Sequence, residues 1–281
     1  MSGAQGEPGA TVHSSTLPDV LAEHTRSRPQ TRALVCGDVA LTYPELDERT
    51  DRLARAMTAA GMGPGGRLVW LGQNCHRLVE SWLACAKIGA VVVPANWRQS
   101  ADELVTLLDD ARPQVVVWQQ EEIGDTVAEA RSRAGGSALW LRHDAGGSDS
   151  YEEFLAGTGV TAAPDGSPSP ADAVLQLYTG AFGGTPNGAL LSHQAIIAQG
   201  LMVAMVQRIT GETAYLNSGP MFHMATLMTT FATFLMGGTN VLTRRVDAEE
   251  LCRVIEAEGC NYGFVMGPTA EEVMTVNRDG R

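Results

Sequence analysis

The sequence predicts a layered α/β fold with parallel strands, and three observations carry that reading. Short apolar runs alternate along the chain with stretches of helical period. Glycine or proline ends most of these segments, as it ends strands and helices. The 281 residues, 44% hydrophobic and 19% charged, suffice to bury a sizeable core in one large or two ordinary domains.

The elements follow in order. Residues 1–16 are rich in Gly, Ser, Ala and Pro and read as a disordered N-terminus. Residues 17–28 read as a helix that ends before Pro29, and 33–35 and 39–41 as two strands turned at Gly37-Asp38. Thr42-Tyr43-Pro44-Glu45 has the form of a capping box. The helix behind it carries Leu46, Leu53, Met57 and Ala60 on one face and stops at Gly61. Strands are expected at 67–71, 91–93 and 114–118, with helices at 77–88 and 104–110 between them. Residues 157–171, rich in Gly, Pro, Ser and Ala, read as a linker between a first α/β subdomain (17–156) and a second (172–281). Beyond it come a helix at 193–207, strands at 214–217, 239–242 and 262–266, and helices after Asp247 and Pro268.

Residues 175–193 organise the rest. A strand runs into a loop holding Gly180, Gly183, Gly184 and Gly188 with Thr179 and Thr185, and Ser192 is placed to cap the next helix. Glycines at this density let backbone N–H groups turn toward an anion, and threonine hydroxyls add donors. The loop lacks the lysine of the P-loop nucleotide triphosphatases, so composition alone leaves a phosphate loop and a surface hairpin both open.

Other function classes are narrowed by charge and cysteine usage. A net charge of −12 argues against nucleic acid as a main partner. No apolar run has the length of a membrane span, and 1–16 lacks a signal peptide's apolar core. Cys36, Cys75, Cys85, Cys252 and Cys260 show no metal-site spacing and suit a reducing cytoplasm. No metal ligand set is expected. Of the 20 basic residues only Lys87 is lysine; beside the helix-ending Gly89 it reads as a partner of the helix dipole.

Tyr178, Thr179, Gly184, Pro186, Gly188, Ser192 and His193 match, place for place, the phosphate loop Tyr-Thr-Ser-Gly-Thr-Thr-Gly-x-Pro-Lys-Gly-x-x-x-Ser-His. The sequence thus resembles the adenylate-forming enzymes: acyl-CoA synthetases, luciferases and the adenylation domains of peptide synthetases. Leu41-Thr42-Tyr43-x-Glu45-Leu46 and Lys87 to Asn96 resemble two further signatures of that family. The departures are equally definite. Gly180, Ala181, Phe182 and Gly183 replace Ser-Gly-Thr-Thr, and Asn187 replaces the lysine, which removes three hydroxyls and one cation.

The resemblance implies two layered α/β subdomains of a large N-terminal domain, the second incomplete and the C-terminal lid absent. It places the phosphates of ATP on Thr179, Gly180, Ala181, Phe182, Gly183, Gly184, Thr185 and Asn187. Pro220-Met221-Phe222-His223 resembles the segment bordering the acid pocket, so Phe222, His223, Met224, Thr226, Leu227 and Met228 are expected to line it. The implied reaction joins a carboxylic acid, fatty or aromatic, to AMP and then to coenzyme A, with Mg2+ assisting. The catalytic lysine of the family's lid has no counterpart here, so the sequence is expected to be the N-terminal part of a longer ligase. An acyl- or partner-binding module, a carrier protein as thiol acceptor and a homodimer all stay open.

Overall fold

The computed structural model describes residues 15–157, 168–180, 186–265 and 267–278. Helix α1 (Leu17–Ser27) leads to the hairpin β1 (Arg32–Cys36) and β2 (Val39–Thr42), which turns at Gly37 with φ +56°. There follow α2 (Tyr43–Ala59), β3 (Arg67–Leu71), α3 (His76–Lys87), β4 (Val91–Pro94), α4 (Ala101–Ala111), β5 (Val115–Trp118), α5 (Gly124–Arg133), β6 (Leu139–Arg142) and α6 (Tyr151–Ala156). Beyond 168 the chain forms β7 (Ala173–Tyr178), β8 (Gly188–Ser192), α7 (His193–Gln207), β9 (Ala214–Asn217), α8 (Met224–Leu235), β10 (Thr239–Leu242), α9 (Ala248–Glu258), β11 (Tyr262–Gly263) and α10 (Pro268–Arg278).

The capping box at Thr42 forms as expected, with Glu45 accepting from the Thr42 N–H at 2.7 Å and Thr42 Oγ1 accepting from the Glu45 N–H at 3.4 Å. Ser100 and Glu103 build a second one at the start of α4. Pro94 and Pro29 stand where a strand ends and just after a helix ends, because neither ring can donate to a continuing ladder.

Two sheets result, with orders β11-β9-β10-β1-β2 and β6-β5-β3-β4-β7-β8. All strand pairs are parallel except the hairpins β1–β2 and β7–β8. The strands alternate their faces, as the pleat demands. Leu68 and Trp70 of β3 enter a core with Leu78 and Trp82 of α3, while Val69 and Leu71 join Leu104 and Leu108 of α4 on the other side. The first of these cores also takes Leu34 and Leu242 from the five-stranded sheet and Phe231 from α8, so one apolar interior serves both sheets.

The sheets do not divide at 157–171. The five-stranded sheet pairs β1 from the first half with β10 from the second, and the six-stranded sheet pairs β4 with β7. The subdomains expected at 17–156 and 172–281 therefore do not coincide with the sheets. Parallel pairing needs crossovers, and it lets a late strand dock beside an early one. Of the strand expected at 262–266, Tyr262–Gly263 is regular and 264–265 is not, while 266 lies outside the described residues.

Candidate active site

The glycine loop leaves the six-stranded sheet at the end of β7 and returns through β8. Thr179 N–H donates to the Asn187 carbonyl at 3.0 Å, and Asn187 N–H donates to Thr179 Oγ1 at 3.3 Å. These two bonds close the loop at its base, one step beyond the Tyr178–Gly188 pair of the hairpin. A Cβ at Gly188 would lie 2.3 Å from Nε2 of Gln176, so a side chain there would displace that amide. Ser192 caps α7 through the Ala195 N–H at 3.2 Å.

Thr179 and Gly180 are exposed and open onto a cleft of about 480 Å³ at the carboxyl ends of β4 and β7. Open parallel sheets bind ligands at this edge, where the loops leave the strands. Asn96 and Gln99, which follow β4, form one side, and Glu103 and Asp110 project from α4. Phe222 and His223 face the loop stem from the segment before α8. The His223 ring lies tilted on Phe222 with centroids 4.5 Å apart.

The cleft thus joins Thr179 and Gly180 with Phe222 and His223, four residues singled out in the sequence. Asn187 is exposed at the loop base. Ala181, Phe182, Gly183, Gly184 and Thr185 lie outside the described residues. Of the six residues expected on the acid side, Phe222 and His223 line this cleft. Met224 is exposed at the start of α8, whereas Thr226, Leu227 and Met228 are buried, and Leu227 and Met228 belong to the main core. Every residue of α8 from Thr226 to Phe234 is buried, so the helix enters the interior on all its faces one turn past His223.

Two residues of the family patterns prove structural. Lys87 is 10% exposed and bonded to Asp47 and Asp51 of α2, which explains its place at the end of α3. His193 is fully buried at the start of α7, and its Nδ1 accepts from the Leu17 N–H at 3.2 Å. Burial pushes its imidazole down to about 4, because the charged form would lose its hydration.

Sequence reasoning did not single out Asn96, Gln99, Glu103, Asp110 or Tyr178 as site residues. Asn96 closes the Lys87–Asn96 signature and Tyr178 opens the loop pattern, so both carried a signal. Asp110 carried none, since only the packing of α4 against β7 brings it to the cleft. Among the described residues lining the cleft none is lysine or arginine. Among the described residues no group of three or more His, Cys, Asp and Glu is arranged to hold a metal ion, and no helix is long and apolar enough to cross a membrane. An anion entering this cleft meets hydroxyl and backbone donors, with the carboxylates of α4 opposite.

Comparison with known proteins agrees with this fold. The family model for AMP-binding enzymes matches residues 21–280. The chain is 32% identical over 240 residues to a feruloyl-CoA synthase of Amycolatopsis, covering 85% of this chain and 46% of that protein. It is 28% identical over 267 residues to a fatty acid–[acyl-carrier-protein] ligase of Streptomyces coeruleorubidus, covering 92% and 50%. A Rhodopseudomonas palustris structure assigned as a long-chain-fatty-acid CoA ligase superposes with a TM-score of 0.86 at 27% identity, over 94% of this chain and 66% of that one. The chain spans about half the length of the curated relatives it matches. Its matched residues, its two sheets and its loop-bearing cleft make it a member of the AMP-binding enzyme family.

Proposed function

We propose that this chain carries the nucleotide- and acid-binding part of an acid–thiol ligase. One observation carries the reading: the stem of the glycine loop and the Phe222-His223 pair open onto the same cleft. In the first step a carboxylate oxygen attacks the α-phosphorus of ATP and pyrophosphate leaves with the bond it shared. In the second, a thiol attacks the acyl carbon and AMP leaves. Holding two anions together is an electrostatic and orientational task. Here Thr179 is suited to it, since its oxygen accepts from Asn187 while its own O–H stays free to donate. Gly180 has no described neighbour within 4 Å of where a Cβ would stand, which suits close approach of a phosphate to the backbone.

These donors fit ATP, and the described residues supply no arranged ligand set for Mg2+. Feruloyl-CoA and fatty-acid ligases among the relatives support an aromatic or fatty acid as substrate and coenzyme A as acceptor. The Streptomyces ligase supports a carrier protein as the other acceptor. A cytoplasmic enzyme acting on small molecules is the setting that fits these relatives.

Titration with ATP by calorimetry, repeated with ferulate or a medium-chain fatty acid present, tests the reading. Saturable nucleotide binding, strengthened by one of the acids, is expected. Binding of the acid with no nucleotide heat would replace it with an acyl-binding module. That second reading draws on Asn187 and on the lack of a lysine or arginine among the described residues lining the cleft.

A further inference from the structure

A continuous hydrogen-bonded chain of side chains runs beneath the loop, and nothing in the reaction just proposed uses it. Arg67 Nε, at the start of β3, donates to Gln176 Oε1 at 2.8 Å. Gln176 Nε2 donates to the Tyr178 hydroxyl at 3.0 Å, and that hydroxyl donates to Asp110 Oδ2 at 2.6 Å. The chain therefore starts in the middle of the six-stranded sheet, passes along β7 and ends on α4, at the wall of the cleft.

Its place matters more than its length. Tyr178 is the last residue of β7, paired with Gly188, the first of β8. Both arms of the glycine loop leave the sheet at this pair, and the two bonds between Thr179 and Asn187 lie one residue further on. Tyr178 packs against the core on the α4 side, which holds its ring; its hydroxyl is fixed at both lone-pair and proton positions by Gln176 and Asp110. Gln176 is buried, and its amide occupies the space that a side chain at 188 would need. Strand, helix and loop stem are thus locked to each other at one phenol. Burial, and then the neighbouring Asp110 carboxylate, push the Tyr178 phenol well above its ordinary range, so it stays a proton donor at any working pH.

We infer that Asp110 and Gln176 are positioning residues that act through Tyr178 to hold the base of the glycine loop against α4, in the geometry that presents Thr179 and Gly180 to the phosphates. This rests on the nucleotide-binding reading above. Tyr178→Phe removes the hydroxyl and leaves ring packing and net charge alone. Asp110→Ala removes the acceptor, and Asp110→Asn keeps an acceptor oxygen while discarding the charge.

Two readouts separate the inference from the reading beneath it. Amide hydrogen exchange at Thr179 and Asn187 reports the base of the loop directly, with or without nucleotide. ATP affinity by calorimetry reports its use. Tyr178→Phe and Asp110→Ala are expected to speed exchange at both amides and weaken ATP binding, each by about tenfold, the worth of one hydrogen bond to a charged group. Asp110→Asn should restore most of both, while the thermal midpoint of all three stays close to the parent's. Faster exchange in a protein whose parent binds no ATP would overturn the nucleotide reading and leave the positioning role standing. Exchange at Thr179 and Asn187 as slow in Tyr178→Phe and Asp110→Ala as in the parent overturns the positioning role, whatever the affinity.

Discussion

Asn187 stands where the phosphate-loop pattern that the sequence resembles has lysine, and its surroundings say what introducing the cation would do. Its backbone N–H and carbonyl both close the loop on Thr179, while its side chain is exposed. A lysine there keeps the backbone bonds and adds a mobile cation beside a cleft that has no lysine or arginine among its described lining residues. Asn187→Lys is therefore expected to tighten ATP binding about tenfold at low salt, by about 1.5 kcal/mol for one charge-assisted contact. The thermal midpoint should not move. Calorimetry in low and high salt checks both the gain and its screening; an affinity unchanged at low salt would place the phosphates away from 187. At this scale the sequence was informative wherever a residue's role was local. The capping partners Thr42 and Glu45 and the cap at Ser192 were legible because three residues of chain determine them. Asp110 was not, because its role depends on a strand 68 residues away.

At the scale of elements, α2, α3 and α6 are tied by one polar knot. Arg49 of α2 donates through Nε and Nη2 to the two oxygens of Glu80 in α3, at 2.6 and 3.1 Å. Tyr151 of α6 donates to the same carboxylate at 2.8 Å, and Glu152 accepts from both Arg49 and Arg77. Glu80 is 0% exposed, so its charge depends wholly on these partners. Arg49→Ala is expected to cost about 3–5 kcal/mol, the loss typical when a buried charge is left unpaired. Arg49→Ala combined with Glu80→Leu should recover much of that, since the orphaned charge is gone. Urea unfolding of the parent, the single variant and the pair checks the order; a double variant no more stable than Arg49→Ala would contradict it. Periodicity alone found α2 and α3, but it gave no hint of α6, a six-residue helix held in place by Tyr151 and this knot. The reach of α4 was likewise short in the sequence reading because Ala101 and Ala111, at its two ends, carry little apolar signal.

At the scale of the whole molecule, the alternation of strands and helices was legible and the interleaving of the sheets was not. Val92 pairs with Leu175 and Leu34 with Asn240, contacts that no local pattern encodes. The same long-range packing buries four histidines, His24, His76, His143 and His193, and burial lowers the imidazole of each. Burial pushes His76 and His193 down to about 4 and His143 to about 3, from an ordinary value of 6.5. Desolvation is the leading cause for each, and nearby carboxylates only partly offset it. The sign follows from proton binding. Below pH 6.5 the unfolded chain takes up protons that the folded chain refuses, so the stability present above that pH falls as the pH drops toward the folded values. His76, His143 and His193 each contribute a slope of about 1.4 kcal/mol per pH unit in that window, so these three together give about 4 kcal/mol per unit near pH 5. Against a typical total of about 5–15 kcal/mol, a slope of this size removes a large share of the stability before the carboxylates titrate. Urea midpoints measured from pH 7 to pH 4.5 should therefore fall steeply below pH 6. His193→Gln, which keeps an acceptor near the Leu17 N–H, should lower stability at pH 7 yet flatten the slope by the share of one histidine, about 1.4 kcal/mol per pH unit. A midpoint that stays level from pH 7 to pH 5 would mean that these imidazoles accept protons without leaving the core.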